Sequence, residues 1–420
     1  MAKKNNNSNY NKNSKAFGIG QRKKKKNKTA KRIIITILVI ILITAIVCGA
    51  YALYLKKYKP DTYDRYYDKI TGFFRSDDKG GNKGNDVYEH GTEEQFPTSL
   101  YAEGNLQIHF PELGNKYTGD CVYIKAGETD ILIDAGSRIN SVQTIRKYLD
   151  RYVTDGKLEY VIVTHAHEDH YAGFATPEGV DSIFDIYECE TIIDFSLTNQ
   201  KSTAKMYNNY LRERDDEVNA GATHYTAGEC VKAGNDTFRL ADGIEMKILD
   251  SYYYYNTSSS ENDYSVCTLI SQGDRHFLFT GDLEAKGEKK LVEMNDLPEV
   301  VMYKAGHHGS KTSSSEALLS VIKPQIVCVC CVAGSNEYTK TEENKFPTQK
   351  FIDNVSKYTS RVYITSFGVD DDTGEFTSMN GCITIVSEAD KIMLRFSSNN
   401  IRLKDTEWFK NKRTCPEAWK

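Results

Sequence analysis

The first 32 residues contain no Asp or Glu and almost nothing apolar. A stretch of Asn and Lys/Arg with so little to bury cannot offset the entropy of ordering, so residues 1–32 are expected as a disordered basic tail. The next segment lacks charge altogether: Ile33 to Leu55 reads IIITILVIILITAIVCGAYALYL. That absence argues against a solvated loop, and the length suits a helix crossing about 30 Å of hydrocarbon. KKKKNKTAKR stands immediately before it, and Lys56, Lys57, Lys59, Asp61 and Asp64 follow. The positive-inside rule then keeps the N-terminus in the cytoplasm and sends the remainder outside, as a single-pass cell-membrane protein. Ala50-Tyr51-Ala52 has the small-x-small form of a signal-peptide cleavage site. The apolar run exceeds a signal h-region of about 7 to 15 residues, which favours an uncleaved anchor. Both readings export the rest of the chain.

Apolar periodicity is also missing from 56 to 98, where tyrosines and charges give way to SDDKGGNKGND, the composition of a flexible linker. From Leu100 to about Leu403, short β-branched runs alternate with amphipathic segments. Residues 99–405 are therefore expected as one large domain and 406–420 as a C-terminal tail, with no visible tandem repeat. Ten cysteines in an exported chain invite disulfides, one or two of which stay open. Their placement argues against a disulfide framework, because Cys328, Cys330 and Cys331 in IVCVCCV read as small core residues of a strand. The pI of about 6.2 averages a basic tail with an acidic remainder, so an anionic substrate would have to be held by local groups.

The chemistry starts where YVIVT, a β-branched run suited to a buried strand, ends in HAHEDHYAG. His165 and His167 are two apart and share a side on an extended strand end; Asp169 and His170 follow in the turn. Imidazole and carboxylate suit a borderline divalent ion, and this concentration of donors exceeds the local share of one tetrahedral ion, which suggests two. Five of the nine histidines lie here or in GHHGS, so a solvated His-rich loop is a poor alternative. Three further apolar runs stop at a polar group: ILIDAG at Asp134, HFLFTGDLE at Asp282, and VMYKAGHHGS at His307 and His308. Strand ends are where α/β enzymes place catalytic groups. The bland reading makes Asp134 and Asp282 ordinary turn residues.

The order ILIDAG, THAHEDHYAG, ENDYSVCTLI, FLFTGDLE and KAGHHGSKTSSSEALLSVIKP resembles the metallo-β-lactamase superfamily, and specifically the hydrolase domain of ComEC-type competence proteins. The resemblance runs from about Leu100 to Leu403. It implies an α/β fold of the αββα sandwich type with a binuclear site on one edge. His165 and His167 would bind the first metal, Asp169 and His170 the second, Asp282 would bridge, and His307 or His308 would complete the second site. Asp134 would orient a ligand histidine. The superfamily's isolated third-strand histidine has no obvious match; Asp194, ending TIID, is the candidate offered, with His224 behind it. The family's later Tyr-Gly-His-Pro is replaced by NEYTKTEENKFPTQ, which puts Phe346 before Pro347. A many-helix channel such as accompanies the ComEC hydrolase domain is not implied, since only one apolar helix is visible.

Two divalent ions, zinc or else manganese, would acidify water toward neutrality and neutralise charge on the attacked group. Ser313-Ser314-Ser315-Glu316 matches a capping box, so a helix is expected to start there with free N–H groups facing the site, where anions bind. Lys311 and Ser310 stand beside it. These features favour a phosphodiester, in DNA or a wall polymer, with Asp169, Asp134, Ser310 and Lys311 as catalytic candidates. The alternatives are a lactonase or another hydrolase of this fold, and a non-enzymatic surface protein attaching through its tyrosines. The sequence implies no protein partner.

Overall fold

Short β-branched runs bounded by Gly, Asn and Asp make strands the dominant element. The computed structural model describes residues 92–97, 102–369 and 375–420. In chain order the strands are β1 (Thr92–Pro97), β2 (Leu106–Phe110), β3 (Val122–Ala126), β4 (Thr129–Ile133), β5 (Lys157–Val163), β6 (Glu188–Asp194), β7 (Thr223–Thr226), β8 (Thr237–Ala241), β9 (Ile244–Ile248), β10 (Thr268–Gln272), β11 (Arg275–Phe279), β12 (Met302–Lys304), β13 (Ile326–Ala333), β14 (Val362–Gly368), β15 (Phe376–Ser378), β16 (Ile383–Glu388) and β17 (Lys391–Phe396). They form a nine-stranded sheet of order β1-β17-β16-β2-β3-β4-β5-β6-β7 and an eight-stranded sheet of order β15-β14-β13-β12-β11-β10-β9-β8. In the first sheet β4 to β7 run parallel. In the second, β11 to β14 do the same.

Strand β13 shows how the layers are built. Successive side chains leave a strand on opposite faces. Ile326, Cys328 and Cys330 enter a core shared with Ile108, Ile124 and Ile385 of the first sheet. Val327, Val329 and Cys331 join a second cluster with Leu291, Leu318, Leu319 and Phe351. The helices are α1 (Ser141–Leu149), α2 (Glu168–Tyr171), α3 (Ile183–Ile186), α4 (Lys205–Ala220), α5 (Ala227–Ala233), α6 (Ala285–Met294), α7 (Glu316–Ile322), α8 (Gln349–Val355) and α9 (Glu407–Lys412). Helices α6, α7 and α8 supply the second cluster, whereas α1, α3 and α4 bring Ile145, Phe184 and Tyr210 to the first. The mixed α/β, two-sheet architecture is the one expected.

The nine described cysteines are free thiols, and the triplet in β13 is fully within the core, so no disulfide forms among the described residues. Two boundaries differ from expectation. Strand β1 lies inside the expected linker 56–98 and pairs antiparallel with β17; its charged TEEQ is the kind of sequence an edge strand carries. The expected tail 406–420 is packed: Phe409 and Trp419 belong to the second cluster, and the Trp419 indole donates to the Thr359 carbonyl at 2.9 Å. Two anchors separated by a polar run leave no period to read. The basic tail 1–32 and the apolar run 33–55 lie outside the described residues. Among the described residues no helix is long and apolar enough to cross a membrane.

Candidate metal centre

The site forms where the carboxyl ends of the two parallel strand runs meet. Asp134 follows β4, and His165 comes just after β5; Asp282 follows β11, and His307 and His308 follow β12. Asp134 is left-handed, with φ 60, a conformation short polar Asp tolerates better than most. Its carboxylate accepts from the Thr164 N–H at 2.8 Å and hydroxyl at 2.7 Å, tying the end of β4 to the end of β5, and faces His170 Nδ1 at 2.7 Å. Backbone bonds lace the loops together: Asp120 N–H to Asp169 carbonyl at 2.9 Å, Gly136 N–H to Asp120 carbonyl at 3.0 Å, and Ala135 N–H to His170 carbonyl at 2.8 Å. Gly136 is required by this approach, since a Cβ there would fall 1.7 Å from the Asp169 carbonyl oxygen.

The expected ligand types converge. His165 Nε2 lies 3.0 Å from His167 Nδ1. His170 Nε2 is 3.2 Å from Asp282 Oδ2, and His308 Nε2 is 3.4 Å from Asp169 Oδ2 and 3.5 Å from Asp282 Oδ2. Two three-residue sets, His165/His170/Asp282 and Asp169/His170/His308, each bring donor atoms within 4.8 Å of one another. His170 Nε2, His308 Nε2 and Asp282 Oδ1 are buried without a hydrogen-bond partner. Buried polar atoms carry a large cost unless something satisfies them, and mixed imidazole and carboxylate donors at this spacing fit divalent metal ions.

The adjacent histidines diverge. His308 is fully buried, and its Nδ1 meets the Cys330 carbonyl at 2.9 Å, so Nδ1 carries the proton and Nε2 is left facing Asp169 and Asp282. His307 is partly exposed at the rim; its Nδ1 meets the Thr312 hydroxyl at 2.9 Å, and its Nε2 is 3.8 Å from Asp282.

Charge explains how these groups titrate. Burial opposes the charged form of His170, yet Asp282, Asp134 and Asp120 hold it well above the ordinary range. His308 is likewise pushed up to about 10 by Asp282 and Asp120 against the effect of burial. Asp282 is held well below the usual carboxylate range: burial acts against this, and His170 and His308 overcome it. Burial, reinforced by His170, depresses His165. Carboxylates in excess therefore draw positive charge into the centre, the role a cation would take.

Several expected residues do not join. Asp194 is committed elsewhere: its oxygens take the Tyr210 hydroxyl at 2.8 Å, Arg214 at 3.1 Å and His224 Nε2 at 2.9 Å, so neither Asp194 nor His224 belongs to the ligand cluster. Lys311 is exposed and donates to Asn344 Oδ1 at 2.8 Å. Ser310 closes a turn, its N–H donating to the His307 carbonyl at 2.7 Å and its hydroxyl accepting from the Thr312 N–H at 3.3 Å. The capping box does not form either. Helix α7 starts at Glu316, and the Ser314 and Ser315 N–H groups donate, at 2.7 Å each, to the buried carboxylate of Glu288 from α6. The donors expected to face an anion are already occupied.

Three groups, the buried Asp120 and Lys304 and the exposed Tyr338, escaped sequence reading. Asp120 pairs with the buried Lys304 ammonium, and its Oδ1 is 3.2 Å from His308 Nδ1. It precedes strand β3, so a search of strand ends passes over it. Lys304 ends β12, yet nothing in VMYK signals a buried partner. Tyr338 donates its hydroxyl to Asp169 from a polar loop that carries no motif.

Residues 114–176 match the model of the metallo-β-lactamase superfamily. The chain is 31% identical over 124 residues to Recombination protein 2 of Haemophilus influenzae, covering 30% of this chain and 14% of that one. It is 26% identical over 213 residues to ComE operon protein 3 of Bacillus subtilis, covering 50% of this chain and 24% of that one. The chain thus spans 14% and 24% of the length of these curated relatives. Among solved structures it is similar to the metallo-β-lactamase fold protein YhfI of Bacillus subtilis, with a TM-score of 0.37 and 9% identity over 62% of this chain and 95% of the other. Residues 114–176 thus match the metallo-β-lactamase superfamily, and parts of the chain are similar in sequence to competence proteins.

Proposed function

We propose that this chain is a membrane-anchored, extracellular, binuclear metal-dependent hydrolase that cleaves phosphodiesters in DNA or a wall polymer. The observation that carries the reading is the cluster in which His170 Nε2 and His308 Nε2 lie 3.2 and 3.5 Å from Asp282 Oδ2, with both ring nitrogens and Asp282 Oδ1 buried and making no hydrogen bond. His165 and His167 would hold one ion, Asp169, His170 and His308 the other, with Asp282 between them. Divalent ions so held supply Lewis acidity toward a phosphoryl oxygen and lower the pKa of water. The chain's own residues do the positioning. Asp134 holds the His170 ring, and the Cys330 carbonyl sets the His308 tautomer. His307 stands at the rim, within reach of Asn262 and Thr312.

Membrane anchoring rests on the uncharged run Ile33–Leu55 and the basic residues before it. Similarity to competence proteins directs the substrate choice toward phosphodiesters. The test is metal analysis of the purified protein beside assays on bis-p-nitrophenyl phosphate, DNA, a lactone and a β-lactam. Bound zinc or manganese with phosphodiester cleavage is expected. Cleavage of only the lactone or lactam would transfer the chain to another hydrolase class, and a protein holding no divalent metal in metal-replete buffer would remove the enzymatic reading.

A further inference from the structure

Removing Lys311 and the α7 N-terminus from the anion-facing groups leaves the centre without the donors expected to hold a phosphoryl group. One other hydroxyl reaches the cluster from the solvent side. Tyr338 is 51% exposed, yet its hydroxyl is turned inward onto Asp169 Oδ2, the atom 3.4 Å from His308 Nε2. Its ring packs on Phe346 at 5.4 Å between centroids, and Phe346 lies 5.6 Å from the His307 ring and 6.0 Å from the His308 ring. Tyr338 therefore stands on an aromatic bridge that spans from the rim to the two histidines.

The loop carrying it is tied down on both flanks. Before it, Glu337 accepts from the Thr118 N–H at 2.8 Å and pairs with Arg138 at 2.8 Å. Across it, the Gly334 N–H donates to the Phe346 carbonyl at 2.9 Å and closes the loop. A phenol held in this way meets a ligand entering from solvent without a new ordering cost. The hydroxyl donates to the Asp169 carboxylate, so it already carries its proton toward the cluster.

Building on the hydrolase reading above, we propose that Tyr338 is a substrate-contacting catalytic residue whose hydroxyl donates to a non-bridging oxygen of the phosphoryl group. It takes the place in charge stabilisation that the sequence had suggested for Lys311. No bond to Tyr338 forms or breaks, and the phenol keeps its proton throughout. Asp169 is the group that hydroxyl touches before substrate arrives.

The experiment compares full-length wild type with Tyr338→Phe, both metal-loaded. It reads bound metal, melting temperature, affinity for inorganic phosphate by calorimetry, and turnover of bis-p-nitrophenyl phosphate. The expected result is unchanged metal content and melting temperature, phosphate affinity weakened about 10-fold or more, and kcat lowered about 100-fold with a smaller change in KM. Equal phosphate affinity in the two proteins would overturn the assignment whatever the turnover. Loss of metal from the variant would overturn it too, making Tyr338 a support for Asp169. A wild type that binds metal but neither binds phosphate nor cleaves the diester would remove the phosphodiesterase reading, and this assignment with it.

Discussion

His307 and His308 occupy the left-handed region in succession, at φ 46 and φ 52. Each such non-glycine residue costs on the order of 1 to 3 kcal/mol and persists only where its surroundings over-determine it. Here the His307 N–H donates to the Gly281 carbonyl at 3.2 Å, the Ser310 N–H closes onto the His307 carbonyl, and the Cys330 carbonyl holds the His308 ring. The tight turn sends neighbouring imidazoles to different places, His308 inward and His307 to the rim. His308→Ala is therefore expected to lose at least half the bound metal, while His307→Ala keeps near wild-type content and loses turnover. Elemental analysis of the two purified variants decides it, and equal metal loss in both would defeat the division. Lys311 leads to the opposite expectation from its sequence context. Because its ammonium is engaged with Asn344 at the surface, Lys311→Ala should leave kcat on a phosphodiester within about 2-fold of wild type, as for most surface positions. A loss of 100-fold would restore Lys311 to the site.

At the scale of elements, the junction of α6 and α7 replaces a solvent-facing helix terminus with a buried carboxylate. Glu288 is fully buried, accepts from the Ser314 and Ser315 N–H groups, and is raised to about 7 by burial, which these hydrogen bonds only partly offset. A carboxyl whose folded pKa lies above its unfolded value near 4.5 binds more protons folded than unfolded between the two values. Its stabilising effect is complete below about 4.5 and is lost as pH rises through about 7. The swing is on the order of 3 kcal/mol at 1.36 kcal/mol per pKa unit. Glu288→Gln should remove this part of the pH dependence, so the wild-type minus variant stability, from denaturant unfolding of the metal-free proteins, should fall between pH 4.5 and 7. A flat difference across that window would show that Glu288 titrates normally. The same junction explains why SSSE misled. A capping box is a local pattern, whereas Glu288 arrives from α6, a separate element, and its two carboxylate oxygens take the Ser314 and Ser315 N–H groups.

Across the whole molecule, two runs of parallel strands present their carboxyl ends to one place, and neither alone holds enough ligands. The first contributes Asp134 and the His165 to His170 loop, the second Asp282 and His308. Substitutions that separate the sheets should thus abolish metal binding without touching a ligand. The proposed orientation in a membrane rests on the charge pattern around Ile33–Leu55. A protease added to intact cells expressing the protein should digest the domain beyond Leu55 and spare the N-terminal tail. Digestion of the domain only after lysis would reverse the topology.

The gathering of His165, His167, Asp169, His170 and Asp282 in one place was readable from sequence because each belongs to a short motif at the end of an apolar strand. The α/β class and the free cysteines of β13 were readable for the same reason, as apolar runs whose period needs no partner. What tertiary structure alone decided are pairings between segments distant in the chain. Asp120 meets Lys304 across 184 positions (304 − 120), Asp194 is claimed by Arg214 and His224 rather than by the centre, and Trp419 returns to pack near Thr359. Whether a carboxylate binds a metal, caps a helix or pairs with an arginine depends on which donor reaches it first in three dimensions. Burial then multiplies the difference, because an unpaired charge is affordable in water and not in a core.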